Sequence, residues 1–123
     1  MARKRNNTAL PTFDELIVPT LMALKELGGA GTIEEINENV YKIASIAPET
    51  LQIPHDENGL QSEVDYRLAW SRTYLKKYGL IENSSRGVWA LTNSDIDFHK
   101  IDSDEIVKKV RDQHRATSPK GNE

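Results

Sequence analysis

The sequence predicts a small, mainly helical α+β domain, and three observations predict it. Three capped amphipathic segments follow one another between residues 12 and 78, and two short β-type runs come directly after the third. A further capped segment comes last. The 123 residues give room for one domain, and 37% apolar content with a mean hydropathy of −0.60 sets a modest core.

The first helix opens at Thr12, with Glu15 three residues on in the spacing of a capping box. Phe13, Leu16, Ile17, Leu21, Leu24 and Leu27 follow at helical spacing, and Gly28-Gly29 ends the run. Pro19 falls inside it, which predicts a kink or a helix that starts afresh there. Thr32 with Glu35 starts a second helix, whose apolar positions are Ile36, Val40 and Ile43. Residues 28–32 are glycine-rich, but they follow a helix and lack the lysine of a phosphate-binding loop, so they read as a helix cap and interhelical turn. Pro48, Pro54 and Gly59 make residues 47–61 mostly loop. Ser62 with Asp65 marks a third helix, running to about Tyr78 and stopping at Gly79.

Leu80–Asn83 and Val88–Thr92 read as the arms of a β-hairpin around Ser84-Ser85-Arg86-Gly87. Asp102 with Glu105 caps a last helix, flanked by Ile101 and Ile106 in staple positions. Its stripe of Ile106, Val107 and Val110 is too short to stabilise an isolated helix, so something must cover it. Helix one, a second copy of the chain or a further domain would serve. A helix-turn-helix that leads straight into a hairpin is the plan of a winged helix-turn-helix, here a three-helix core with a two-stranded wing and an extra C-terminal helix. Residues 10–100 are expected to form that domain, with 101–115 as C-terminal helix or connector and polar tails at 1–9 and 116–123.

Several classes of chemistry are excluded or find no support. There are no cysteines, hence no disulfides, no thiolate nucleophile and no cysteine-ligated zinc, and a reducing cytoplasmic setting is expected. No run approaches the roughly 18 apolar residues of a membrane span, and no secretory signal is evident. His55, His99 and His114 stand apart, without the paired spacing of a metal-binding helix, and no Gly-x-Ser-x-Gly elbow occurs. No catalytic site, metal or cofactor is expected on this chain.

Charge is more informative in its distribution than in its sum of −3. Residues 1–61 carry net −4 and residues 93–123 net −1, whereas residues 62–92 carry net +2. Unrolled at about 100° per residue, the third helix puts Val64, Leu68, Ser71, Leu75 and Tyr78 on one stripe, its buried face. Tyr66, Ala69, Thr73, Lys76 and Lys77 fall opposite. Arg67, Trp70 and Tyr74 lie on one shoulder and Arg72 on the other, with Trp70 and Tyr74 expected to extend the core toward the hairpin. Such an outward face suits base edges and phosphates of double-stranded DNA. The expected contacts are Tyr66, Ala69 and Thr73 to bases and Arg67, Arg72, Lys76 and Lys77 to phosphates, with Arg86 at the hairpin tip reaching the groove or backbone.

Pro11-Thr12-Phe13-Asp14, Pro19, Leu24, Arg67-x-x-Trp70, Leu75-Lys76-x-x-Gly79-Leu80 and Ser85-Arg86-Gly87-Val88-Trp89-Ala90-Leu91-Thr92 together resemble the N-terminal domain of the Mrr family of restriction endonucleases. The resemblance covers about Leu10 to Thr92. It implies a winged-helix recognition module for DNA carrying modified bases, placed ahead of a C-terminal nuclease domain. That nuclease uses an Asp…(Glu/Asp/Gln)-x-Lys site and a divalent metal. None of the nine lysines here has Asp, Glu or Gln two residues before it, so the nuclease is not expected on this chain. The chain then reads as a fragment of a longer enzyme or as a stand-alone DNA-binding regulator. The competing class is a winged-helix interaction or dimerisation module, which the net charge of −3 would suit.

Overall fold

A proline close to the start decides where the first helix begins. In the computed structural model, which describes residues 10–117, residues 13–16 make turns whose N–H groups donate three residues back, Leu16 to Phe13 at 3.2 Å and Ile17 to Asp14 at 3.3 Å. Helix α1 then spans Ile17–Glu26. A regular helix from Thr12 would waste the Glu15 carbonyl, because Pro19 has no N–H to donate to it. Starting at Ile17 puts Pro19 in the first turn, where an N–H has no intrahelical partner anyway. The Thr12–Glu15 box still forms: Thr12 N donates to Glu15 Oε1 at 2.9 Å and Glu15 N to Thr12 Oγ1 at 3.4 Å. It caps the turn that leads into α1.

After Gly28 and Gly29, both at positive φ, strand β1 (Ala30–Thr32) runs into helix α2 (Ile33–Ile43). The predicted capping box is present in full, with Glu35 N donating to Thr32 Oγ1 at 3.2 Å and Thr32 N to Glu35 Oε1 at 2.9 Å. Strand β1 itself was expected to be a turn. Three small residues carry no alternating pattern; what makes them a strand is the partner they meet, Ala30 opposite Ala90 and Thr32 opposite Val88. Gly31 between them approaches α1 so closely that a Cβ would lie 2.6 Å from Leu27 Cδ1.

A single turn, α3 (Pro48–Leu51), interrupts the expected loop and packs on the next helix, α4 (Glu63–Tyr78). Ser62 Oγ accepts from Asp65 N at 3.1 Å, and Gly79 at φ 103° closes the far end with Leu80 N donating to Leu75 O at 3.0 Å. The hairpin β2 (Ile81–Ser85) and β3 (Val88–Leu91) turns at Arg86-Gly87, with Gly87 at φ 73°. A bulge between Asn83 and Ser85 is held by Asn83 Nδ2, which donates to Ser85 O and Val88 O at 3.0 and 2.8 Å. The sheet is thus antiparallel with order β1-β3-β2, three strands where two were expected. A 3₁₀ turn at Phe98–Lys100 leads to α5 (Ser103–Thr117), which continues two residues past the expected boundary at Arg115. The tail expected at 1–9 lies outside the described residues, as does 118–123 of the tail expected at 116–123; residues 116 and 117 belong to α5.

The core is one cluster: Leu16, Ile17, Leu21 and Leu24 before and on α1, Ile36 and Val40 of α2, Val64, Leu68 and Leu75 of α4, and Ile81 of β2. Each such side chain contributes about 1.5–3 kcal/mol by leaving water. Ile106 and Val110 of α5 join it, 1% and 3% exposed. Their burial was expected against α1 or a second copy; instead α5 packs on α4. Polar contacts flank that packing, Tyr78 Oη donating to Glu105 Oε2 at 3.3 Å and Arg111 Nε to Tyr74 Oη at 3.3 Å. The order of the two pairs runs antiparallel along the helices.

Candidate nucleic-acid interface

The orientation of α4 is fixed from its inward and N-terminal sides. Ser71 Oγ donates to Phe13 O at 2.5 Å, and Arg67 Nη1 donates to Pro11 O at 3.0 Å, so the segment before α1 is strapped to one shoulder of the helix. Arg67 Nε also donates to Glu63 Oε2 at 2.7 Å. Glu63 meanwhile bonds His55 Nδ1 at 2.9 Å, and that bond, with Arg67 beside it, holds the Glu63 carboxyl below its usual range. Arg67 was expected to contact phosphate. Its charge is instead paired within the helix and its far end is spent on the main chain.

Arg72 departs further from expectation. It is 6% exposed, and its Nη1 donates to Asn37 Oδ1 at 3.0 Å. Asp65 accepts from Tyr41 Oη and, at 3.5 Å, from Asn37 Nδ2. Burial pushes the Arg72 guanidinium down from its ordinary value, opposed by the charge of Asp65. These four side chains form a polar clasp between α2 and α4. The helical wheel missed it because the shoulder carrying Arg72 meets α2, not solvent. The clasp also turns the carboxylate of Asp65 inward, away from the helix's outer face.

Tyr41 in this clasp is held well above the ordinary tyrosine value, first by burial and then by its bond to Asp65. A group whose folded pKa is raised keeps its proton in the native state after the unfolded chain has lost it. Its contribution is therefore full below about pH 10 and lost as pH rises above that. Urea midpoints should fall as pH rises from about 10 to 12 in the wild type and fall less steeply in Tyr41→Phe. At pH 7 the same variant should lose about 1–2 kcal/mol, since Asp65 loses a donor.

The outer face of α4 holds the remaining predicted residues. Ala69 and Thr73 are half-buried, Thr73 Oγ1 donating to Ala69 O at 3.0 Å, while Lys76 and Lys77 are exposed. Tyr66 is half-buried with its ring stacked on His55, centroids 3.5 Å apart and planes 17° apart. Lys76 Nζ lies 5.9 Å above the Trp89 ring of β3, which joins the cationic end of the helix to the hairpin. Arg86 is exposed at the hairpin turn.

One feature of this face was read wrongly and another was missed. Trp70, expected to extend the core, is 45% exposed. Its neighbours Tyr66 and Tyr74 meet it edge-on, at 81° and 67°. Beside it runs an open groove of about 700 Å³ between the helices, with Trp70, Tyr74 and Lys77 on the α4 side and Val110, Arg111 and His114 on the α5 side. In the sequence, Lys108, Lys109, Arg111 and Arg115 read as charge favouring the helix dipole, and only the packing of α5 on α4 puts Arg111 at the groove. Among the described residues no three His, Asp or Glu side chains gather as a metal site, and no helix is long and apolar enough to cross a membrane.

A protein-family model, the Mrr N-terminal domain, matches residues 13–100. The chain belongs to this family. No curated protein and no solved structure matches it significantly. The Mrr N-terminal domain span takes in α1 to β3 and the 3₁₀ turn, and so reaches past Thr92, where the sequence motifs stop. Helix α5 begins at Ser103, beyond the matched span. The outer face of α4 and the hairpin therefore belong to the Mrr N-terminal domain, whereas one wall of the groove comes from a helix C-terminal to it.

Proposed function

We propose that this Mrr N-terminal domain is a winged-helix module that binds duplex DNA, with α4 in the major groove and the β2–β3 hairpin as its wing. The observation that carries the reading is the continuity of α4 with the hairpin, made by Lys76 over Trp89, which gives helix and wing one shared cationic surface. Tyr66, Ala69 and Thr73 would face base edges, the Tyr66 ring braced by His55. Lys76, Lys77 and Arg86 would meet phosphates; Arg67 is left out because it is tied to Glu63 and to Pro11 O, and Arg72 because it is buried against Asn37. Strand cleavage falls to a separate nuclease domain, since the acidic-x-Lys half of that site is missing from this sequence. In this role the protein is a cytoplasmic partner of DNA.

Three phosphate contacts predict a slope of about −3 in log affinity against log salt concentration. Titration of a labelled duplex at four salt concentrations measures it. No binding at low salt, or affinity indifferent to salt, would refute the reading. A second reading, a docking or dimerisation module, draws on exposed Glu34, Glu35 and Glu38 along α2. Reversing the charge of Lys76 and Lys77 separates the two.

A further inference from the structure

The groove between α4 and α5 is not used by the proposed duplex contacts, yet its make-up is specific. Its floor is apolar, formed by Trp70, Tyr74 and Val110. Its charged rim is Lys77 from one helix and Arg111 from the other, and among the described residues no carboxylate lines it. Arg111 is held in place, its Nε donating to Tyr74 Oη at 3.3 Å and its guanidinium 6.0 Å from the Phe13 ring centre. Trp70 differs from the other rings of the aromatic row along α4. His55 covers Tyr66 face to face, whereas both tyrosines beside Trp70 present edges to it, so neither stacks on the indole. A flat apolar surface edged by two cations, with no carboxylate in its lining among the described residues, complements a planar ring that carries a phosphate; Asp14, Asp104 and Asp112 line a separate cleft that shares Arg111.

We infer that this groove holds an unpaired deoxynucleotide of the bound DNA, its base stacked on Trp70 and its phosphate between Lys77 and Arg111. The position fits, because Lys77 belongs to both the groove and the outer face of α4 that meets the duplex. A base displaced from a duplex docked there has a short path to the indole. The inference rests on the duplex-binding reading and adds a subsite to it. Stacking on an exposed aromatic ring is worth about 5- to 150-fold in affinity per base, independent of base identity.

The test uses the full chain and three probes of one sequence: a paired duplex, the same duplex with a one-nucleotide bulge of 2-aminopurine, and the single strand. The wild type should bind the bulged duplex about tenfold more tightly than the paired one, with the 2-aminopurine fluorescence quenched on binding. Trp70→Ala should abolish the preference and the quenching while leaving paired-duplex affinity within about twofold. Trp70→Phe should restore part of both. Arg111→Gln should reduce the preference even if Trp70→Ala fails to fold. Equal affinity of the wild type for bulged and paired duplex would overturn the subsite and leave duplex binding standing. Retention of the preference in Trp70→Ala or Arg111→Gln would also overturn it. Quenched binding of the single strand and bulge without any affinity for paired duplex would support the subsite and refute the duplex reading.

Discussion

Replacing Arg72 with alanine should lower stability by about 3–5 kcal/mol, a large share of the 5–15 kcal/mol typical of a domain. The guanidinium is buried, and its removal leaves Asn37 Oδ1 without its donor and the Asp65 carboxylate without its counter-charge. An uncompensated carboxylate in a half-buried site is the costly part. Arg72→Met, which keeps the volume, should cost less than Arg72→Ala but more than an exposed substitution. Arg72→Lys should recover part of the loss, since it restores charge without the planar fork that reaches Asn37. Urea unfolding followed by circular dichroism reads all three. If Arg72 were a phosphate contact instead, Arg72→Ala would keep the wild-type midpoint and flatten the salt slope by about one.

The second large effect is expected at the other end of α4. Lys76→Glu with Lys77→Glu should weaken duplex binding at least 100-fold, about 2.8 kcal/mol, since two proposed phosphate contacts become repulsions. The change also has a folding cost. Both lysines sit in the last turn of α4, where cations favour the helix dipole, and Lys76 loses its place over Trp89. Together these should amount to about 1–2 kcal/mol, so the binding experiment is run where the variant is fully folded. The Gln pair, which removes charge without reversing it, should fall between. Light scattering on the same samples gives the other outcome: a changed assembly state with unchanged DNA affinity would favour the interaction module.

How far the molecule was legible differs from element to element. The limits of α4, the box at Thr32 and Glu35 and the hairpin turn at Gly87 were readable because each rests on local chemistry: a hydroxyl that accepts an N–H, a glycine that takes positive φ. Strand β1 was not readable, because Ala30-Gly31-Thr32 has no side-chain pattern and becomes a strand only against β3. The start of α1 lay in between. The sequence marked Pro19 as a break, but whether the helix bent or began later depended on packing around Leu16 and Ile17.

The candidate site divides along the same line. Periodicity alone put Tyr66, Ala69, Thr73, Lys76 and Lys77 on one face of α4, because a helix of fixed pitch converts spacing into direction. It could not tell which shoulder of that helix met solvent. Arg72 and Trp70 exchanged their expected places, the cation buried against α2 and the indole exposed, because each shoulder's environment is set by a helix distant in sequence. Residues 33–43 cover Arg72, and residues 103–117 stop short of covering Trp70. Local hydrogen bonding and helical pitch are properties of a short stretch of chain, so the sequence determined the capped helices, the hairpin and the outward stripe of α4. Burial is a property of what packs alongside, so the tertiary structure alone decided which cations remain available to a partner and where a groove opens beside them.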